Sequence, residues 1–193
     1  MRGIKIRLAL AATGVAALAT FGATASASAS VHPHSTFGCQ TYDASYCGSQ
    51  QQNNNDWVWA VQNDNASAGA KIISQHYSTG REDQDFDMRN VSGLHGSGGP
   101  DKQFRFAPDG VRTNLCIAAT SIKVDGGLTL QACHNNANQE FSPKYVDGTY
   151  VAWRSLGNSN LVIQNNPHWD TTGGQLELGN YVGDDFQQFE FVN

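Results

Sequence analysis

Positive charge is scarce in this chain. It has 12 Lys+Arg against 17 Asp+Glu in 193 residues, and three of the basic ones, Arg2, Lys5 and Arg7, stand at the very start. Past them, 9 Lys+Arg face 17 Asp+Glu, a formal charge of −8, with no basic cluster. Binding to nucleic acid or to an anionic membrane surface needs such a cluster, so neither is an expected partner. Helical periodicity is also missing, since no segment repeats its apolar residues at helical spacing over three turns. The glycine-rich stretch 91–100 lacks a Gly-Lys-Ser/Thr ending, and no helix pattern opens after it, so it reads as a spacer and not as a phosphate loop. Ser97 stands in no Gly-x-Ser-x-Gly turn, and no acid/base pair or activated nucleophile has a recognisable catalytic setting. The expected protein is not an enzyme, and nothing in it calls for a cofactor.

Long apolar runs are missing except at 8–21, behind the three basic residues and ahead of Ala23-Thr24-Ala25-Ser26-Ala27-Ser28-Ala29-Ser30. That run is too short for a membrane span, and the small-residue tail is an A-x-A cleavage region. Residues 1–29 therefore read as a secretory signal peptide cut after Ala25, Ala27 or Ala29, and the rest as soluble and extracellular. Export permits disulfides among the only cysteines, Cys39, Cys47, Cys116 and Cys133. Of three possible connectivities, local pairing of Cys39 with Cys47 and Cys116 with Cys133 fits best, because the latter two lie on adjacent strands of one repeat. No C-x-x-C pair or His spacing supports a metal site. His32-Pro33-His34 reads as a tail, and Asp83, Asp85 and Asp87 as a solvated strand face in preference to calcium ligands.

What the chain does contain is a pattern written three times. Ile72, Leu128 and Leu176 open short strands 56 and 48 residues apart, and Tyr77, Cys133 and Tyr181 repeat at the same intervals. Gln84-Asp85-Phe86, Gln139-Glu140-Phe141 and Gln187-Gln188-Phe189 close the copies at intervals of 55 and 48. Ahead of them run Trp57-Val58-Trp59-Ala60-Val61, Leu115-Cys116-Ile117-Ala118-Ala119 and Leu161-Val162-Ile163-Gln164. Pro108-Asp109-Gly110 and Asp147-Gly148 supply turn chemistry between strands. Three repeats of about four strands make one domain over 57–193, with copies at 57–90, 103–141 and 142–193. Alternation turns Phe86, Phe141 and Phe189 inward as three equivalent rings meeting in one core. Residues 30–56 are an extension or hold the first strand of repeat one. The cysteine-bearing part 37–46 is the favoured strand, and the polar run 49–55 reads as a loop.

From Cys116-Ile117 through Leu128-Thr129-Leu130-Gln131-Ala132-Cys133 to Asn138-Gln139-Glu140-Phe141, the sequence resembles a ricin B-type β-trefoil repeat. That family pairs two cysteines across the repeat and ends it in Gln-x-Trp; here Phe replaces Trp in all three copies. The resemblance implies a β-trefoil fold and carbohydrate binding. The family's sugar sites use an acidic residue two after the first cysteine, an aromatic two before the second, and the Asn-Gln of the closing motif. In repeat two these positions hold Ala118, Gln131, Asn138 and Gln139; in repeat one Val61, Gln75 and Asp83-Gln84; in repeat three Gln164, Gly179 and Phe186-Gln187. The expected carbohydrate-binding residues are accordingly Asn135, Asn138 and Gln139 in repeat two. To these the loop 165–172 adds His168, Trp169 and Asp170, a stacking platform with a polar rim. The competing expectation is a protein-interaction module, such as an inhibitor or adhesin, that uses the loops; for the three glutamines it is hydrogen bonding to backbone between strands.

Overall fold

The computed structural model describes residues 50–52, 57–78, 81–91, 99–148, 150–165 and 173–191, all within the unit His32–Asn193. They form twelve strands: β1 (Gln50–Gln52), β2 (Trp57–Val61), β3 (Ile72–His76), β4 (Phe86–Asn90), β5 (Lys102–Phe106), β6 (Leu115–Ala119), β7 (Gly126–Ala132), β8 (Phe141–Tyr145), β9 (Val151–Ser155), β10 (Asn158–Gln164), β11 (Glu177–Asn180) and β12 (Phe189–Phe191). No α-helix occurs among the described residues, and all described strand pairs are antiparallel. The proposed signal peptide, Cys39, Cys47 and the His168–Asp170 group lie outside the described residues.

Every repeat has the same plan. Strands β4-β5-β8-β9-β12-β1 are neighbours in that order and make a barrel wall, while β2–β3, β6–β7 and β10–β11 are hairpins that join in a cap. The cap meets at the three aliphatic residues that the spacing singled out: Leu128 N donates to Leu176 O and Leu176 N to Ile72 O, both at 2.8 Å, and all three side chains are buried. This threefold arrangement of four-stranded units is a β-trefoil, as expected.

Phe86, Phe141 and Phe189 are all buried in one hydrophobic core. The rings of Phe141 and Phe189 are linked through others, while Phe86 meets Phe106 at 5.8 Å: Phe104 lies 5.9 Å from Phe141 and 4.9 Å from Trp153, and Trp59 meets Phe104 at 5.0 Å and Phe189 at 5.1 Å edge to face. Burying rings of this size is the largest single contribution to such a core, roughly 1.5–3 kcal/mol each.

The three closing glutamines are clamps. Gln84, Gln139 and Gln187 are buried and donate through Nε2 to His76 O, Ala132 O and Asn180 O. Their Oε1 atoms accept from Ser78 N, His134 N and Val182 N. The amide thus ties the end of each cap hairpin to the returning barrel strand, and a buried amide must be satisfied in some such way. Ser78, His134 and Val182 keep the 56 and 48 intervals while the glutamines follow 55 and 48, so the extra residue of repeat one lies between Ser78 and Gln84.

Three expectations are corrected. The first barrel strand lies at Gln50–Gln52, inside the polar run read as a loop, and pairs with β12 and β2. Backbone pairing needs no aliphatic side chain, which is why composition missed it. Strand β8 continues to Tyr145, so repeat two runs past Phe141. Nor are Asp83, Asp85 and Asp87 a solvated face: Glu82–Gln84 is a 3-10 turn, and Asp83 and Asp87 are buried against Arg81 and Arg112. Among the described residues, no group of three or more His, Cys, Asp or Glu could hold a metal ion.

Candidate functional site

The family's sugar positions fall on the outer faces of the three cap hairpins, and strand register fixes which residues correspond. Ala118 pairs with Thr129, Gln164 with Glu177 and Ala60 with Ile73, so the repeat-one counterpart of Ala118 is Ala60 and not Val61. Gln75, Gln131 and Gly179 correspond in the same way, opposite Val58, Cys116 and Val162. Cys116 is joined to Cys133 with a Cα–Cα distance of 5.0 Å, confirming the local pairing expected for repeat two. Repeats one and three have Val58 with Tyr77 and Val162 with Tyr181 at these places. Lys144 Nζ sits 3.3 Å above the Tyr181 ring.

In repeat one the outer face is committed to itself. Asp83 is only 1% exposed, and both its carboxylate oxygens are held: Gln75 Nε2 donates to Oδ2 at 2.7 Å, and Arg81 donates through Nε to Oδ1 and through Nη2 to Oδ2, each at 2.8 Å. Arg81 reaches on to Asp64 at 3.2 Å. The fork geometry matches a carboxylate's two oxygens, and burial beneath these partners closes them to a ligand. The bond to Asp83 raises the Arg81 guanidinium above its ordinary value. Alongside, burial pushes the Asp85 carboxyl up to about 7, and a bond to Asp109 raises Glu82.

Repeat three is filled in another way. A Cβ on Gly179 would collide with the side chain of Gln164, which lies against the glycine. Gln164 donates to Glu177 at 3.1 Å and accepts from Gln187 at 2.9 Å, so this face is also closed.

Repeat two is different. Half-buried Asn138 donates from Nδ2 to Ala119 O at 3.3 Å, which leaves Oδ1 uncommitted among the described residues. Half-buried Gln131 makes one long bond to Thr129 at 3.4 Å, and exposed Asn135 accepts from Arg89 Nη2 at 3.2 Å. Gln139 is not available to a ligand, contrary to the sequence expectation: it is fully buried, and its Oε1 also accepts from Gln103 Nε2 at 3.1 Å. Sequence reasoning missed the support for this loop. Gln103 donates to His134 O at 2.9 Å, and Arg89 donates through Nε to Gln103 at 2.6 Å, so a barrel pair braces the turn that carries Asn135 and Asn138. Burial, then Arg105, lowers the Arg89 guanidinium. The readable signal was the alternation that places Arg89 and Gln103 opposite one another on β4 and β5.

No family model matches the chain, and no curated protein matches its sequence. Solved structures do. A designed threefold-symmetric protein, ThreeFoil, superposes with a TM-score of 0.65 at 17% identity over 76% of this chain and 98% of its own. The C-half of an earthworm R-type lectin, solved in complex with GalNAc, gives 0.54 at 16% identity over 76% and 98%. An exo-β-1,3-galactanase from Clostridium thermocellum gives 0.66 at 17% identity over 79% of this chain and 31% of that longer one. With spacing, strand register and these likenesses in agreement, the chain is an all-β protein of the β-trefoil fold.

Proposed function

We propose that this protein is an exported, non-catalytic carbohydrate-binding β-trefoil whose cap-hairpin site is on repeat two. The observation that carries the reading is the inequality of the three outer faces. Equivalent positions are held by an ion pair in repeat one and by Gln164 in repeat three, while Asn138, Gln131 and Asn135 keep hydrogen-bonding capacity on a braced turn. Sugar hydroxyls need such convergent donors and acceptors. The lectin likeness supports a glycan ligand in general, and the signal-like amino end supports export. A single shallow site of this kind binds weakly, in the roughly millimolar to micromolar range.

One observation favours the rival reading of a protein-interaction module: none of the three stacking positions, Gln75, Gln131 and Gly179, carries an aromatic ring. A glycan array on the protein lacking residues 1–29 separates the two. Saturable binding that Asn138→Ala abolishes without lowering Tm supports the repeat-two site; an array without a saturable glycan sinks the carbohydrate reading. Trp169→Ala tests the loop read from the sequence, with reduced retention on a polysaccharide column as the expected result.

A further inference from the structure

We propose a second ligand site, at the junction of repeats two and three, that takes the carboxylate of an acidic saccharide such as a hexuronate. The saccharide part rests on the carbohydrate reading above; the carboxylate part stands on this junction alone. A cavity of about 430 Å³ lies there, lined by Ser142, Arg154, Ser155, the Leu156–Gly157 turn and the first two residues of β10. That is room for one sugar ring.

The three places where a repeat's fourth strand pairs with a first strand show what is missing. At the first, Asp87 stands opposite Arg105, and Arg112 from the 107–114 connection pairs with the Asp87 carboxylate. At the third, Glu190 stands opposite Gln51. At the second, Ser142 stands opposite Arg154. This is the junction that has the cation without the carboxylate, and no acidic side chain of the described residues lies within ion-pair distance of Arg154.

One further difference opens the space. The connection after β9 is only Leu156 and Gly157, so nothing like Arg112 folds back over the strands. Gly157 is packed under Ile122, which holds the turn as a wall. Ser142 and Ser155 are 6% and 1% exposed, and Ser142 Oγ, Ser155 Oγ and Arg154 Nε are buried without a hydrogen-bond partner. Arg105 Nε at the first junction is buried without a partner as well, so what sets this junction apart is the half-buried Arg154 lining a cavity beside a serine where the first junction has Asp87. A guanidinium takes a carboxylate through two parallel bonds, and a carboxylate is the group that Asp87 supplies to Arg112 one junction earlier. The exposed Asn158 and Ser159 at the rim are suited to ring hydroxyls.

The test is calorimetric titration of the purified protein with sodium glucuronate, glucose and sodium acetate. Glucuronate should saturate in the roughly millimolar range and bind at least about tenfold tighter than either of the others. Arg154→Gln should lose that binding. So should Ser142→Asp, which supplies the carboxylate from within, and its Tm should be no lower than that of the native protein, so that it carries the test if Arg154→Gln does not fold. Glucuronate binding unchanged in folded Arg154→Gln or Ser142→Asp, or none at all, overturns the proposal; acetate binding as tightly as glucuronate overturns its saccharide part. A neutral glycan that depends on Asn138 and not on Arg154 belongs to repeat two, so the two sites fail separately.

Discussion

Repeats one and two share a backbone plan and differ in what their outer faces do with polar groups. Repeat one has a buried carboxylate, Asp83, held by Arg81 and Gln75, whereas repeat two has Asn138 at the same place with a single long bond. Two residue differences, Asp83 against Asn138 and Arg81 against Asn136, separate an internal ion pair from an open amide. The lesson is that a threefold fold need not carry three sites. The clamp and core are common to all repeats because the barrel requires them, while the outer face is free to be sealed or left available.

The sharpest way to break this comparison is in the core, where the repeats should be alike. Phe141→Ala should lower unfolding free energy by about 3–5 kcal/mol in a denaturant titration, and Phe86→Ala should fall in the same range. A small effect at one and a large effect at the other would show that the repeats are unequal beneath the surface as well. Next comes the disulfide, which repeat two has at a place where repeat one has Val58 and Tyr77. Opening the Cys116–Cys133 link, which spans 17 residues, by replacing both with Ala should cost about 3 kcal/mol, read as a lower midpoint of unfolding.

The outer faces themselves should differ by a smaller amount. Asp83→Ala strips partners from buried Gln75 and from Arg81 and should cost roughly 1–3 kcal/mol, while Asn138→Ala should stay within about 0.5 kcal/mol. Equal costs at the two positions would remove the distinction on which the repeat-two site is argued. A pH dependence should also separate repeat one from the others. Asp85 titrates at about 7 in the folded protein and near 3.9 when unfolded. Between those values the unfolded chain has released a proton that the folded chain still holds, so stability should fall as pH rises from about 4 to about 7 and level off above. Asp85→Asn should flatten that slope in thermal scans across this range.

How much of this was readable beforehand depended on distance along the chain. The glutamine clamps were visible because each amide bonds backbone only five to eight residues away, so the motif and its partners move together in every copy. Gln50–Gln52 was invisible because it pairs with Phe189–Phe191 through backbone groups at the far end of the chain, with no apolar pattern to mark it. Val61 was matched to Ala118 one place too far along, since only the cross-strand register with Ile73 identifies Ala60. Gln139 looked like a sugar ligand from its motif, and burial among Gln103, His134 and Ala132 excludes it.

The sequence alone determined the threefold repeat, the all-β class, the inward rings of Phe86, Phe141 and Phe189 and the pairing of Cys116 with Cys133. These follow from periodicity and short-range spacing, which chain geometry translates directly into strands and turns. Tertiary structure alone decided which polar groups are free. Whether Asp83, Gln164 or Arg154 has a partner depends on side chains brought opposite it by strand register, and a carboxylate or guanidinium reads the same in a sequence whether it is neutralised or waiting for a ligand.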